Sequence, residues 1–122
     1  MPKRIEAYCT RNGQTPPRTK AEFILTILNS LAYSYAATIK ELEALNGQTI
    51  RRIHMVGGGI QNVLLCQLTA DATGKEIVAG PVEASAIGNI AVQLTALGAV
   101  HPSEVRELVA RSCTLSSYYP VL

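Results

Sequence analysis

The segment Ile53-His54-Met55-Val56-Gly57-Gly58-Gly59-Ile60-Gln61-Asn62 carries the strongest structural signal in this chain. A mostly apolar run, residues 49–56, leads into three consecutive glycines and is followed by a helical pattern over residues 61–72. The apolar run predicts a buried strand of the parallel type. The order strand, glycine turn, helix predicts an α/β fold in which bare backbone lies at the amino terminus of a helix.

A long amphipathic helix is predicted upstream of this segment. The sequence Thr19-Lys20-Ala21-Glu22 matches a capping box, in which the Thr and Glu side chains each bind the other's backbone amide. Asn46-Gly47 predicts the helix end, because glycine adopts the left-handed conformation found there. Residues 1–11 predict a shorter helix, and Pro16-Pro17 a linker. One face of the long helix is predicted from spacings of three and four residues: Ile24, Ile27, Leu28, Leu31, Tyr35, Thr38, Ile39 and Leu42.

A second strand is predicted downstream, over residues 75–79, after Gly74 ends the helix that follows the glycines. Two parallel strands joined by a helix form one crossover unit. Such a strand pair is only marginally stable alone. We therefore expect the sheet to continue in residues outside this chain.

Two further helices are predicted after this strand. Gly80-Pro81-Val82-Glu83 has the pattern of a helix start, with Pro81 at the first helical position and Glu83 in the first turn. We expect this helix to end at Gly98. His101 is predicted to cap a last helix that reaches about Arg111, before a polar and then aromatic tail.

Composition limits the function classes that fit this chain. Charged residues make up 16% of the 122 residues, where roughly a quarter is typical. This shortage indicates that part of the surface is covered, either by a second copy or by the rest of a longer chain. The net charge of +2 comes from scattered residues, so neither nucleic acid nor a membrane is an expected partner.

The cysteines and the amino terminus favour a cytoplasmic protein. Cys9, Cys66 and Cys113 are far apart and form no CxxC pair, so a zinc site is not predicted. We expect reduced thiols. The first residues lack the apolar core of a signal peptide, and no apolar run approaches the roughly 18 residues that a membrane span needs.

The residues alone leave the role of the glycines open. Their spacing is not the GxGxxG of dinucleotide-binding folds, and Gly74-Lys75 does not complete a phosphate loop. A tight turn without a ligand is therefore as compatible with the pattern as a binding site. Asp71, the only aspartate, is expected to form a structural hydrogen bond, and neither His54 nor His101 has a catalytic partner that the sequence could place beside it.

Several blocks, taken together in order and spacing, resemble the FGGY carbohydrate kinases. The glycine segment, followed by Gln67-Leu68 and by Ala70-Asp71-Ala72-Thr73-Gly74, resembles the second signature of that family. Val78-Ala79-Gly80-Pro81-Val82-Glu83-Ala84 resembles its rhamnulokinase branch in particular, as does Ile5-Glu6-Ala7-Tyr8-Cys9 near the start. The resemblance extends from near Met1 to about Pro120.

The resemblance implies a fold and an activity. The fold would be α/β: part of the second ribonuclease-H-like domain of an ATPase of the actin and hexokinase type, helix-rich with a short two-strand parallel unit. The activity would be transfer of the ATP γ-phosphoryl group to L-rhamnulose, with Mg²⁺ bound outside this segment. Gly58 would be the ATP- or ADP-binding glycine, flanked by Gly57, Gly59 and Asn62.

The family's catalytic parts do not occur here. Its amino-terminal phosphate loop, Asp-x-Gly-Thr, is absent, and its catalytic aspartate belongs to a stretch that this chain lacks; Asp71 is not that residue. We therefore predict no catalytic residue and an inactive isolated chain. The alternatives are a non-catalytic, self-associating interaction module, or a segment of a kinase for another ketose or polyol.

The chain is predicted to form a single partial domain over residues 1–122. It comprises a first helix and linker (1–18), a long helix (19–47), a nucleotide-site unit (49–99), and a last helix with the tail (100–122). The expected partners are an adenine nucleotide and either the missing amino-terminal kinase lobe or a second copy.

Overall fold

The computed structural model describes residues 1–121, which form helices around a small sheet. No helix in this part of the chain is long and apolar enough to cross a membrane. The helices are α1 (Pro2–Arg11), α2 (Lys20–Asn46), α3 (Val63–Thr73), α4 (Ala84–Ala96) and α5 (Val105–Ser112). The strands are β1 (Arg52–Met55), β2 (Glu76–Ala79) and β3 (Ser116–Tyr118), and 3₁₀ turns lie at Gly58–Gln61 and Pro102–Glu104.

The sheet has three strands in the order β1-β2-β3. The predicted parallel pair is confirmed: β1 and β2 run parallel, with Ile53 opposite Ile77, and α3 connects them. The tail adds a strand that the sequence analysis missed, since β3 pairs antiparallel to β2 with Tyr118 opposite Ile77. The prediction of only two strands was therefore wrong. Ile77 on the central strand is fully buried.

The prediction that β1 is buried was also wrong. Arg52 and His54 are exposed, and Ile53 and Met55 are half-buried. The reason is position, because β1 lies at the edge of the sheet and has a neighbour on one side only. Arg52 donates from Nε to Glu76 Oε2 at 2.7 Å, and this ion pair raises the pKa of the Arg52 guanidinium.

Both predicted ends of α2 are confirmed. The Thr19 hydroxyl accepts from the Glu22 amide at 3.2 Å, and Glu22 Oε2 accepts from the Thr19 amide at 3.1 Å. The amides of Arg18 and Thr19 lower the pKa of the Glu22 carboxyl because they stabilise its charged form. At the other end Gly47 has a φ of 66° and donates to Glu43.

The buried side of α2 matches the predicted apolar face only in part. Leu28, Ala32 and Ala36 are buried where α2 packs along α3. Of the predicted face, only Leu28 is fully covered, whereas Ile24 is 56% and Leu42 is 47% exposed. Several of the larger apolar side chains of α2 are therefore left exposed in the part of the chain that the structure describes.

The start of α4 was predicted incorrectly. The peptide bond between Gly80 and Pro81 is cis, and α4 begins only at Ala84, with Glu83 at the N-cap position. Pro81 is therefore not the first helical residue, and Glu83 is not in the first turn. The Gly80 amide donates to the Met55 carbonyl at 2.9 Å, so the backbone still follows the sheet where the helix was expected.

Glu43 connects α2 to the two loops that lead into the sheet. Its Oε1 accepts from the Ile50 amide at 2.7 Å and from Lys75 Nζ at 2.6 Å. Lys75 also donates to the Ile50 carbonyl at 2.7 Å. These donors lower the pKa of the Glu43 carboxyl, with Lys75 contributing most.

We predict that replacing Gly80 with alanine destabilises the chain by about 2 to 4 kcal/mol. Gly80 has a φ of 127°, and a Cβ there would lie 2.8 Å from both the Thr114 carbonyl oxygen and Leu115 Cδ2. Urea unfolding measures the change. Gly88→Ala is the matched control, since its Cβ meets no described atom within 4 Å and α4 gains up to about 1 kcal/mol of helix propensity. Equal midpoints for Gly80→Ala and wild type would contradict this prediction.

We also predict an acid-dependent loss of stability that Glu43→Gln weakens. The pKa of Glu43 is lowered from its ordinary value of 4.5 in the folded chain, so its stabilisation is present above that value and is lost as the pH falls through the folded-state pKa. Glutamine keeps an acceptor but carries no charge. Thermal unfolding between pH 3 and 7 should show a flatter acid limb for Glu43→Gln than for the exposed control Glu41→Gln. An identical acid limb in both variants would refute the role of Glu43.

Candidate functional site

The candidate site is the glycine turn, residues 57–59, between β1 and α3. Gly57 has a φ of 86° and a ψ of −177°, a conformation that only glycine adopts readily. The 3₁₀ turn Gly58–Gln61 follows, and α3 begins at Val63. The sequence prediction of strand, glycine turn and helix is thus confirmed, with the helix starting two residues later than expected.

A second turn holds the glycine turn in place. The Gly57 amide donates to the Pro81 carbonyl at 3.3 Å, and the Gly80 amide donates to the Met55 carbonyl at 2.9 Å. Because β1 and β2 are parallel, both turns lie at the same carboxyl edge of the sheet. Sequence reasoning did not find the contribution of Pro81, since the two turns are more than twenty residues apart in the chain.

Gly58 and Gly59 differ from Gly57 in backbone conformation and exposure. Neither adopts a positive φ, and both are exposed. A Cβ on either would meet no atom within 4 Å in the described part of the chain. Backbone conformation and internal packing therefore both allow a side chain at these two positions. The backbone of Gly58 and Gly59 is thus exposed at the surface of the described residues.

Ile60, which follows the three glycines, attaches the turn to the buried core. It is buried beside Cys66 and Ala79, with Met55 and Val82 packed against this cluster. The Cys66 thiol donates to the Ile60 carbonyl at 3.6 Å, and burial raises the pKa of that thiol. These buried contacts of Ile60 therefore hold the exposed glycine turn in place.

Asn62 has a structural task that the sequence analysis did not assign to it. Its Oδ1 accepts from the Leu65 amide at 3.0 Å, so Asn62 is the N-cap of α3. An Asn ahead of an apolar helical run is a typical N-cap signal, which could have indicated this role. Asn62 lies next to the 3₁₀ turn that contains Gly58 and Gly59.

Asp71 forms the structural hydrogen bonds that were expected of it. Its Oδ1 accepts from Gln67 Nε2 at 3.0 Å and from the Val121 amide at 2.9 Å, so it fixes the tail. His101 was predicted to cap the last helix; it caps the 3₁₀ turn Pro102–Glu104 that leads into α5, and its Nδ1 accepts from the Ser103 amide at 3.3 Å. Within residues 1–121 no group of three or more His, Cys, Asp or Glu side chains could hold a metal ion.

Comparisons with known proteins give a consistent relationship. The FGGY family of carbohydrate kinases, C-terminal domain, matches residues 1–97. Rhamnulokinase of Klebsiella pneumoniae is 45% identical over 121 residues, which is 98% of this chain. Rhamnulokinases of Bacteroides thetaiotaomicron and Mannheimia succiniciproducens are 40% and 42% identical over 98% and 97% of it. The chain spans 25% of the length of each of these relatives.

Proposed function

The chain belongs to the FGGY family of carbohydrate kinases, and we propose that it is the nucleotide-binding segment of a kinase that transfers phosphate from ATP to L-rhamnulose. The choice of sugar is supported by the names of the relatives, which are rhamnulokinases at 40 to 45% identity. A kinase for another ketose or polyol is the alternative. Sugar-contacting residues would separate the two, and we assign none to this chain.

The glycine turn is the proposed nucleotide site, formed by Gly57, Gly58, Gly59 and Asn62. The observation that carries this proposal is the open backbone of Gly58 and Gly59, where neither conformation nor internal packing requires glycine. An adenine nucleotide lying against this backbone would use the space that side chains would fill. Asn62 would act indirectly, by fixing the start of α3.

Phosphoryl transfer by such a kinase would need groups that we do not assign to this segment. ATP supplies the transferred phosphate, and Mg²⁺ would neutralise charge on its phosphate oxygens. We propose that residues elsewhere in a longer polypeptide hold the metal and the catalytic aspartate. A cytoplasmic location stays a prediction.

The exposed apolar side chains support a covering partner. On α2, Ile24 and Leu42 are about half exposed, and on α4, which carries no charged residue, Ile90 and Val92 are 58% and 69% exposed. We propose that residues 1–122 form a single partial domain and that the remainder of a kinase polypeptide covers these faces. The relatives are about four times as long as this chain, which supports that partner over a second copy.

We predict that the chain binds Mg-ADP at the glycine turn and that Gly58→Val weakens binding at least roughly tenfold, because its side chain would occupy the ligand's space. Amide NMR titration measures the affinity and locates the shifted signals. Gly88→Ala is the control, since its Cβ also meets no described atom within 4 Å but lies on α4. Shifts confined to other regions, or equal affinity for Gly58→Val and wild type, would contradict the site.

Self-association is the competing function, and the same variant separates it from nucleotide binding. The exposed faces of α2 and α4 would also allow a homodimer. Sedimentation of wild type and Gly58→Val measures the oligomeric state. A dimer in both proteins, together with no nucleotide binding by the wild type, would favour the interaction module.

We predict that the isolated chain does not phosphorylate L-rhamnulose. Transfer depends on groups that position and stabilise the phosphoryl group from both sides, and this segment would supply one side only. A coupled ATPase assay with L-rhamnulose measures turnover, and a full-length rhamnulokinase serves as the positive control. Turnover that rises in proportion to the concentration of the purified chain would overturn the prediction.

A further inference from the structure

The carboxyl-terminal tail, residues 114–121, is held along α3 by two polar side chains. Asp71 Oδ1 accepts from the Val121 amide at 2.9 Å, and Gln67 Nε2 donates to the Tyr119 carbonyl at 2.8 Å. Gln67 Nε2 also donates to Asp71 Oδ1 at 3.0 Å, so the two side chains orient each other. This pair fixes the backbone of the tail at two points just beyond β3.

The other end of the tail lies against the second turn of the site. Ser116, the first residue of β3, is opposite Ala79 at the end of β2. Directly before it, the Thr114 carbonyl oxygen and Leu115 Cδ2 each lie 2.8 Å from the position that a Cβ on Gly80 would take. The tail therefore packs on Gly80 as closely as a glycine allows.

Gly80 and Pro81 transmit this contact to the glycine turn. Gly80 donates to the Met55 carbonyl at 2.9 Å, and the Pro81 carbonyl accepts from the Gly57 amide at 3.3 Å. The links are hydrogen bonds and van der Waals contacts, joined by the backbone of β3 and by the peptide bond between Gly80 and Pro81. They form a continuous path from the side chains of α3, through the tail, to Gly57.

We propose that Asp71 and Gln67 are positioning residues of the glycine turn. By holding the tail they keep Leu115 against Gly80, and this contact fixes the Pro81 carbonyl that binds the Gly57 amide. The nucleotide part of the proposal rests on the proposed function, but the coupling between tail and turn does not. Neither side chain has a contact with the glycine turn itself among the hydrogen bonds of residues 1–121.

The test compares Asp71→Ala with Asp71→Asn. Alanine removes the acceptor for the Val121 amide, and we expect the amide signals of the glycine turn to move in the nucleotide-free chain. Affinity for Mg-ADP should fall roughly three- to tenfold, which corresponds to the loss of one hydrogen bond. Asparagine retains an acceptor oxygen and should restore both readouts to near the wild-type values.

A second pair of variants tests the path without touching α3. Leu115→Ala removes the side chain that lies against Gly80, and it should move the same amide signals. Leu25→Ala is the matched control on α2, because Leu25 is 44% exposed and Leu115 is 39% exposed. Urea unfolding of both variants separates a local shift at the turn from a general loss of stability.

The outcomes distinguish this proposal from the proposed function. Shifts at residues 57–59 in Asp71→Ala and Leu115→Ala, reversed in Asp71→Asn, support the coupling even if the wild-type chain fails to bind Mg-ADP. That failure would count against the nucleotide site alone. If Asp71→Ala moves only tail signals while those of residues 57–59 stay in place, the positioning role is refuted, whatever the nucleotide affinity.

Discussion

The buried backbone of β2 is the constraint on which the described structure depends. Ile77 is fully buried, and Val78 and Ala79 are nearly so, which leaves little water to bind their amides and carbonyls. Buried backbone groups are almost always paired, so β2 needs a hydrogen-bonded neighbour on each edge. β1 is one neighbour and β3 is the other. The tail thus belongs to the sheet, and Tyr118 of β3 packs against the core cluster.

The pairing of β3 with β2 also brings residues 114–115 against Gly80. The tail strand therefore helps to shape the turn beside the candidate site.

What the sequence predicted well depends on contacts within a few residues. The start of α2 follows from Thr19 and Glu22, three residues apart, and its end from the left-handed conformation of Gly47. The tail strand and the turn at Pro81 could not be predicted in this way. Ser-Ser-Tyr has no alternating apolar pattern, and it becomes a strand because β2 offers an unpaired edge forty residues earlier in the chain. Proline followed by an acidic residue is a common helix start, but the Gly80 amide continues the pairing with β1 and delays the helix.

The candidate site shows the same division between local and distant causes. Three glycines after a strand predicted the location of an open turn, which the structure confirms. The sequence could not separate a glycine needed for conformation from one needed for access. The structure shows that Gly57 has a positive φ whereas Gly58 and Gly59 do not, so backbone conformation explains only the first of the three glycines. Asn62 was grouped with the glycines because of its position, yet its side chain caps α3. An Asn at the start of a helix can serve either as a helix cap or as a ligand contact. The sequence alone could not choose between these two roles for Asn62.

The packing of α2 leaves several of its large apolar side chains exposed. A helix at a domain surface normally buries its large apolar residues and exposes polar ones. Here α2 buries Leu28, Ala32 and Ala36, while Ile24 and Leu42 remain about half exposed. Single exposed apolar residues are ordinary, but a row of them on a long helix is not. The small side chains of Ala32 and Ala36 let α2 approach α3 closely, and the exposed large side chains are suited to a second layer of protein.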